Sequence, residues 1–85
     1  MRLVVVGRAD ELTGFALAGV ETAACASPED ANGRVAILGG AGSDAGLVIV
    51  SPWAGRHAAH AIAGVRRRKG PPVIVVIPDL PASGD

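Results

Sequence analysis

The sequence predicts an α/β domain: a four-stranded parallel sheet with alternating helices on both faces. Three observations carry that expectation. Short β-branched runs bounded by Gly, Pro or Ser recur at Arg2–Val6, Gly46–Ser51 and Val73–Ile77. The segments between them space their apolar residues for helices. The first run, Leu3-Val-Val-Val-Gly7, shows no polar alternation, as expected of a strand buried on both faces in a parallel sheet.

Each element then has its own warrant. After Gly7 a polar turn, Arg8-Ala9-Asp10, leads into a segment where Leu12, Phe15, Ala16 and Gly19 fall on one helical face. Phe15 and Leu17 are expected to pack that helix on the sheet. A weaker strand is expected near Val20–Cys25. Ser27 then caps a helix from about Pro28 to Leu38, with Pro28 at its first position and Asp30 at its third. Asn32-Gly33 weakens this helix, and the glycines of Gly39–Asp44 read as a flexible loop. After the third strand, Ala54, Ala58, Ala61, Ile62 and Val65 outline one longer helix. It ends in Arg66-Arg67-Arg68-Lys69, where basic residues complement the helix dipole, and Gly70-Pro71-Pro72 stops it. The order is β-α-β-α-β-α-β, the alternation of Rossmann-like and receiver-like sheets. One domain over residues 1–78 and a Pro/Gly/Ser-rich tail over 79–85 that frays complete the organisation.

Composition excludes several function classes. With 85 residues there is room for one core, and a formal net charge of zero gives no general pull toward nucleic acid or anionic lipid. The apolar runs are strand-sized, far below the ~20 residues of a membrane span; the first follows Arg2 as in a signal peptide but is too short and lacks a small-residue cleavage site after it. The lone Cys25 excludes an internal disulfide and fits a reducing compartment. A cytoplasmic protein with no direct membrane insertion is expected.

No catalytic constellation emerges. Gly39–Gly46 precedes a strand instead of following one, and it lacks the Lys-Ser/Thr of a phosphate loop. His57 and His60, three apart on the expected third helix, are two ligands without a third and make no metal site. Receiver-domain phosphorylation is excluded because the third strand ends in Ser51-Pro52, where that chemistry needs Asp. No cofactor and no metal are expected. Asp10 is either a carboxylate at a helix N-terminus or a recognition group. Trp53, just past the third strand, is either core or a partner anchor. The basic run at 66–69 is a solvated helix end that an acidic surface can meet. The strand near Val20–Cys25, if at an edge, is open to pairing in a weak homodimer at high concentration.

The opening Val4-Val-Val-Gly-Arg-Ala-Asp-Glu-Leu-Thr-Gly-Phe-Ala-Leu-Ala-Gly-Val20 resembles the N-terminus of the F subunit of V-type and archaeal-type rotary ATPases. There a strand runs into Gly-Asp-x-Asp-x-Val-Thr-Gly-Phe-x-Leu-Ala-Gly. The block Thr13-Gly14-Phe15-x-Leu17-Ala18-Gly19 matches position by position. Gly46-Leu-Val-Ile-Val-Ser51 resembles that family's third strand, and Pro72-Val-Ile-Val-Val-Ile-Pro78 its fourth, with the same Ile-Pro step. Arg8 stands where the family usually carries an acidic residue. The family also continues past Ile-Pro into a C-terminal helix, whereas this sequence ends at Asp85, so a truncated member or one lacking that helix is expected.

The resemblance implies a non-catalytic central-stalk component of a proton- or sodium-translocating ATPase or ATP synthase. It would bind the coiled-coil D subunit of the stalk among other partners in the complex, peripheral to the membrane, and help couple ATP turnover to ion transport. What the family does through its C-terminal helix is not carried over. The expected partner surface is Asp10, Glu11, Thr13, Ser51, Trp53 and Arg56 at the strand ends. The alternative is a small α/β module that binds a nucleotide or other ligand at the sheet's carboxyl edge.

Overall fold

The computed structural model describes residues 2–40, 42–68 and 70–78. The expected tail and Lys69 of the basic run lie outside the described residues. In chain order the elements are β1 (Arg2–Gly7), α1 (Ala9–Leu17), β2 (Glu21–Ala24), α2 (Pro28–Leu38), β3 (Ala45–Val50), α3 (Pro52–His57), α4 (Ala59–Arg67) and β4 (Val73–Val76). All strands run parallel in the order β2-β1-β3-β4. The predicted α/β class and alternation hold, and β2 forms at an edge of the sheet.

Chain direction explains where the helices lie. From β1 the chain steps outward to β2, then crosses back to β3 and continues to β4. Right-handed crossovers therefore put α1 on one face and α2, α3 and α4 on the other. Accordingly α1 lies on β1 and β2, while α2 packs on α3 and α4. The larger core forms beneath those three helices, where Val4, Val6, Val48, Val50 and Ile74 meet Ala31, Val35, Ala54, Ile62 and Val65. On the other face Val5, only 1% exposed, lies under α1, whose Leu12 is also buried. Aliphatic side chains do this work alone, since Phe15 is half-buried and Trp53 only flanks the core.

Four local features differ from the sequence reading. The long third helix is two helices, interrupted at Ala58 (φ −106°, ψ 17°). The first turn of α4 is capped from outside: Ala61 N donates to Asn32 Oδ1 at 3.1 Å. Asn32, expected only to weaken α2, thus satisfies an end that sequence-local reasoning cannot see. His57 and His60 consequently sit on different helices. Leu17 is 84% exposed at the end of α1, because the helix stops there and the chain turns at Ala18 and Gly19 (φ 83°). Gly39 is not a flexible-loop residue but the buried C-cap of α2, where a Cβ would run into Val65. It lets α2 and α4 approach closely.

Ser27 does cap α2 as expected: Asp30 N donates to its Oγ at 3.1 Å, and Ala26 N donates to Asp30 Oδ2 at 3.0 Å. At the amino edge, Arg2 ties three segments together. Its guanidinium donates to Glu21 at 2.9 and 2.6 Å and to Asp44 at 2.6 Å. Hydrogen bonds from Arg2 hold both carboxyls below their ordinary values. The sign follows: depressed carboxyl values contribute stability above about pH 4, and that contribution fades as acid protonates them. An Arg2→Gln chain is therefore expected to melt below wild type at pH 7, with the gap closing in acid as the pH falls through the depressed folded values of the two carboxyls. Melting curves across that range check it.

Candidate functional site

The sheet order reverses between β1 and β3, since one crossover leaves β1 to the left and the next enters β3 on the right. In open α/β sheets the crevice beyond the strand ends at such a point is the usual ligand position. Here it is bounded by Gly7 and Arg8 after β1 and by Ser51 after β3. Both strand ends are fixed by the ladder, with Ser51 N donating to Val6 O at 2.9 Å and Cys25 N to Gly7 O at 2.8 Å.

The crevice is filled from within. Glu11, in the first turn of α1, accepts from Ser51 Oγ at 2.8 Å and from Arg8 N at 2.8 Å through the same Oε1. Ser51, 4% exposed, also caps α3 by accepting from Ala54 N at 3.1 Å. One carboxylate and one hydroxyl thereby join the N-termini of two helices on opposite sides of the sheet. Their proximity requires a glycine at position 7: a Cβ there would lie 2.8 Å from Ser51 Oγ and 3.0 Å from Glu11 Oε1. That is closer than side chains tolerate, so Gly7 is needed for space, not for an unusual backbone angle.

Above this closure lies an aromatic and cationic cap. Arg8 places its guanidinium 5.5 Å from the Trp53 ring centroid, within cation–π range. Trp53 in turn meets His57 with centroids 5.1 Å apart and planes tilted by 59°. Arg8 Nε also lies 3.6 Å from Asp10 Oδ1. Trp53 is half-buried, packed on the core yet reaching the surface, so it belongs to both settings left open by the sequence.

Of the expected surface residues, the structure thus gathers Asp10, Glu11, Ser51 and Trp53 at one edge. Thr13 is elsewhere: exposed on α1, its Oγ1 donates to Ala9 O at 3.4 Å, beside a shallow cavity of about 370 Å³ that also borders Leu12, Leu17 and Thr22. Arg56 lies on the opposite flank, exposed beside a cavity of about 260 Å³ with Pro52, Val76 and Pro78. Sequence reasoning missed Arg8, Gly7 and His57 as parts of the edge. The signal for Gly7 and Arg8 was their position at the end of the first strand of a parallel sheet. The signal for His57 was its spacing, four residues after Trp53 on the expected helix, which sets the two side chains side by side.

The edge presents two cationic or titratable side chains, Arg8 and His57, the Asp10 carboxylate and the Trp53 ring. Among the described residues no cluster of three or more His, Cys, Asp or Glu side chains has metal-binding geometry. Cys25 is buried, and burial pushes its thiol above the ordinary range, away from the reactive thiolate. No buried side-chain polar atom among the described residues lacks a hydrogen-bond partner. No described helix is long and apolar enough to cross a membrane.

A search of curated protein sequences returned no match. A family model described as ATP synthase (F/14-kDa) subunit matches residues 3–85, from the first strand through the end of the sequence. The aligned span includes the Gly7–Arg8 turn, the Thr13-Gly14-Phe15 block and all four strands. This chain therefore belongs to the F/14-kDa family of V/A-type ATP synthase subunits.

Proposed function

We propose that this protein is a non-catalytic part of the central stalk, docking its carboxyl edge on the coiled-coil D subunit of that stalk. Family membership makes it one component of a rotary ATP synthase complex, with other components of that complex as partners. In the proposed role it stiffens the rotor and helps couple ATP turnover to proton or sodium transport, held peripheral to the membrane through the complex.

The observation that supports a binding role over a chemical one is the Glu11–Ser51 closure. Where a sheet of this topology ordinarily receives a ligand, this chain seats its own side chains. What remains outward is Asp10, Arg8 and the half-buried Trp53, a mix of one large aromatic and charged groups typical of protein–protein anchors. Thr13 and Arg56 flank that centre on either side and form its rim in this reading.

Mixing the chain with the coiled-coil stalk partner and measuring mass by light scattering during size-exclusion chromatography tests the proposal. An equimolar complex is expected. A chain that elutes alone, and whose melting temperature instead rises with millimolar nucleotide, would transfer the carboxyl edge to the ligand-binding alternative.

A further inference from the structure

Helices α2 and α4 pack together on one face of the sheet and end at its amino edge, since each leads from one strand's carboxyl end to the amino end of the next. Between them lies a cavity of about 260 Å³. Small residues line it, among them Gly39 and Gly40 at the end of α2 and Gly64 of α4, together with His60, Arg67 and Arg68. The Arg67 guanidinium folds back along α4, its Nη2 3.8 Å from where a Cβ on Gly64 would lie.

The charges of this cavity are not balanced from within. Arg2, Arg8 and Arg34 each lie between 2.6 and 3.8 Å from a carboxylate oxygen, and Arg66 donates to Ile74 O at 3.1 Å. Arg67 and Arg68 have no such partner among the described residues, and no described acidic residue borders the cavity. A larger cavity of about 750 Å³ at the same edge gives the contrast: Glu21 and Asp44 line it beside Arg2 and Arg34, so its charges cancel in the wall. Two helix C-termini do meet near Arg67 and Arg68, and each carries about half a negative charge. Their sum, about one negative charge, is outweighed by the two guanidinium groups, with Arg66 adding a third nearby.

The shape of the cavity selects the kind of anion. Neighbouring guanidinium forks and an imidazole N–H suit a tetrahedral oxyanion, which accepts from several donors at once. Glycines allow it to approach the helices closely. The volume falls below the ~300–1,000 Å³ of pockets that enclose a drug-sized ligand, so it admits one phosphate group and not a whole nucleotide. Concavity on this scale favours one compact anion over the extended carboxylates of an acidic protein surface. Pro78, the last described residue, lies at the opposite, carboxyl edge beside Pro52 and Gly55, so residues 79–85 start from the far end of β4.

We propose that the cavity between α2 and α4 is a phosphate-binding site, with Arg67 and Arg68 as the anion's principal partners and His60 as a further donor. It is separate from the carboxyl-edge docking surface and does not rest on the central-stalk reading.

Nitrogen-15 NMR of the full chain at constant ionic strength tests the site, with inorganic phosphate as the probe and chloride as the control. Phosphate is expected to shift Gly39, Gly40, His60 and Gly64 saturably while chloride does not. A folded Arg67→Gln/Arg68→Gln chain is expected to bind phosphate more than about tenfold more weakly. ATP, titrated in parallel, separates the sources: an affinity within about tenfold of phosphate's identifies free phosphate as sufficient, and a greater one identifies a nucleotide as its carrier. Identical responses to phosphate and chloride overturn the site, as does saturable binding that the double variant retains. Binding that emerges solely in a chain ending at Pro78 would make residues 79–85 the occupant and overturn it. A hexaglutamate peptide that binds more tightly than phosphate, and is lost in the double variant, would make the cavity a seat for an acidic protein segment and equally overturn it.

Discussion

Gly7→Ala is expected to destabilise the domain by about 2–3 kcal/mol, the upper part of the range for overpacking a close contact. Its Cβ would be placed 2.8 Å from Ser51 Oγ, 2.9 Å from Ser51 Cβ and 3.0 Å from Glu11 Oε1. Ser51 cannot retreat without giving up the cap on α3, and Glu11 cannot retreat without releasing Arg8 N. The strain therefore falls on two helix N-termini at once. For a domain of this size the melting temperature drops by roughly 10 °C or more. Gly33→Ala supplies the control: Gly33 lies within α2 with nothing within 4 Å of the added Cβ, and alanine there raises stability by up to about 1 kcal/mol. Urea unfolding of both variants checks the pair. A Gly7→Ala chain as stable as wild type would mean the closure is loose and that the crevice remains available to a ligand.

Trp53→Ala carries the second large effect and separates the two roles of that side chain. Removing the ring deletes packing against the core, the Arg8 contact and the His57 contact. The ring is half-buried, so the loss is expected at about 2–3 kcal/mol, below the ~3–5 kcal/mol of a fully buried aromatic. Binding to the coiled-coil stalk partner should fall by more than about tenfold if the ring is also an anchor. Trp53→Phe distinguishes the contributions, because it keeps an aromatic face for Arg8 and much of the packing. Stability near wild type with weakened binding identifies the indole as an interface group. Wild-type binding by a folded Trp53→Ala chain would assign the residue to the core alone and remove it from the docking surface.

Strand positions and the α/β class were legible because a parallel sheet leaves an unmistakable trace: Val4, Val5 and Val6 are all buried, so the sequence cannot alternate. The cap of α2 was equally legible, since Ser27, Pro28 and Asp30 act within one turn of chain. What escaped depended on distant residues. The break at Ala58 is supported by Asn32 from another helix, and Gly39 answers to Val65, so neither has a local signature. Leu17 was expected to pack on the sheet, but it is the last residue of α1 and lies about 140° around the helix from the buried Leu12, so it faces solvent.

The carboxyl edge followed the same rule. Its location was legible from β-α alternation, which places loops after parallel strands on one side. Its internal wiring was not: Glu11 and Ser51 lie 40 positions apart, and only the register of β1 on β3 brings them together. Arg8 was visible chiefly as a departure from an acidic family position. Its place over Trp53 gives that departure a physical context, since a carboxylate there would face the negative π-surface of the ring.

The carboxyl edge contains the chain's single tryptophan, which makes docking at that edge directly measurable. Fluorine NMR of the protein labelled with 5-fluorotryptophan reports on Trp53 alone as the unlabelled coiled-coil stalk partner is added. One shifted resonance that saturates at one equivalent of partner is expected. A resonance that stays fixed while the complex forms would place the contact away from Trp53 and contradict the assignment of the carboxyl edge as the docking surface.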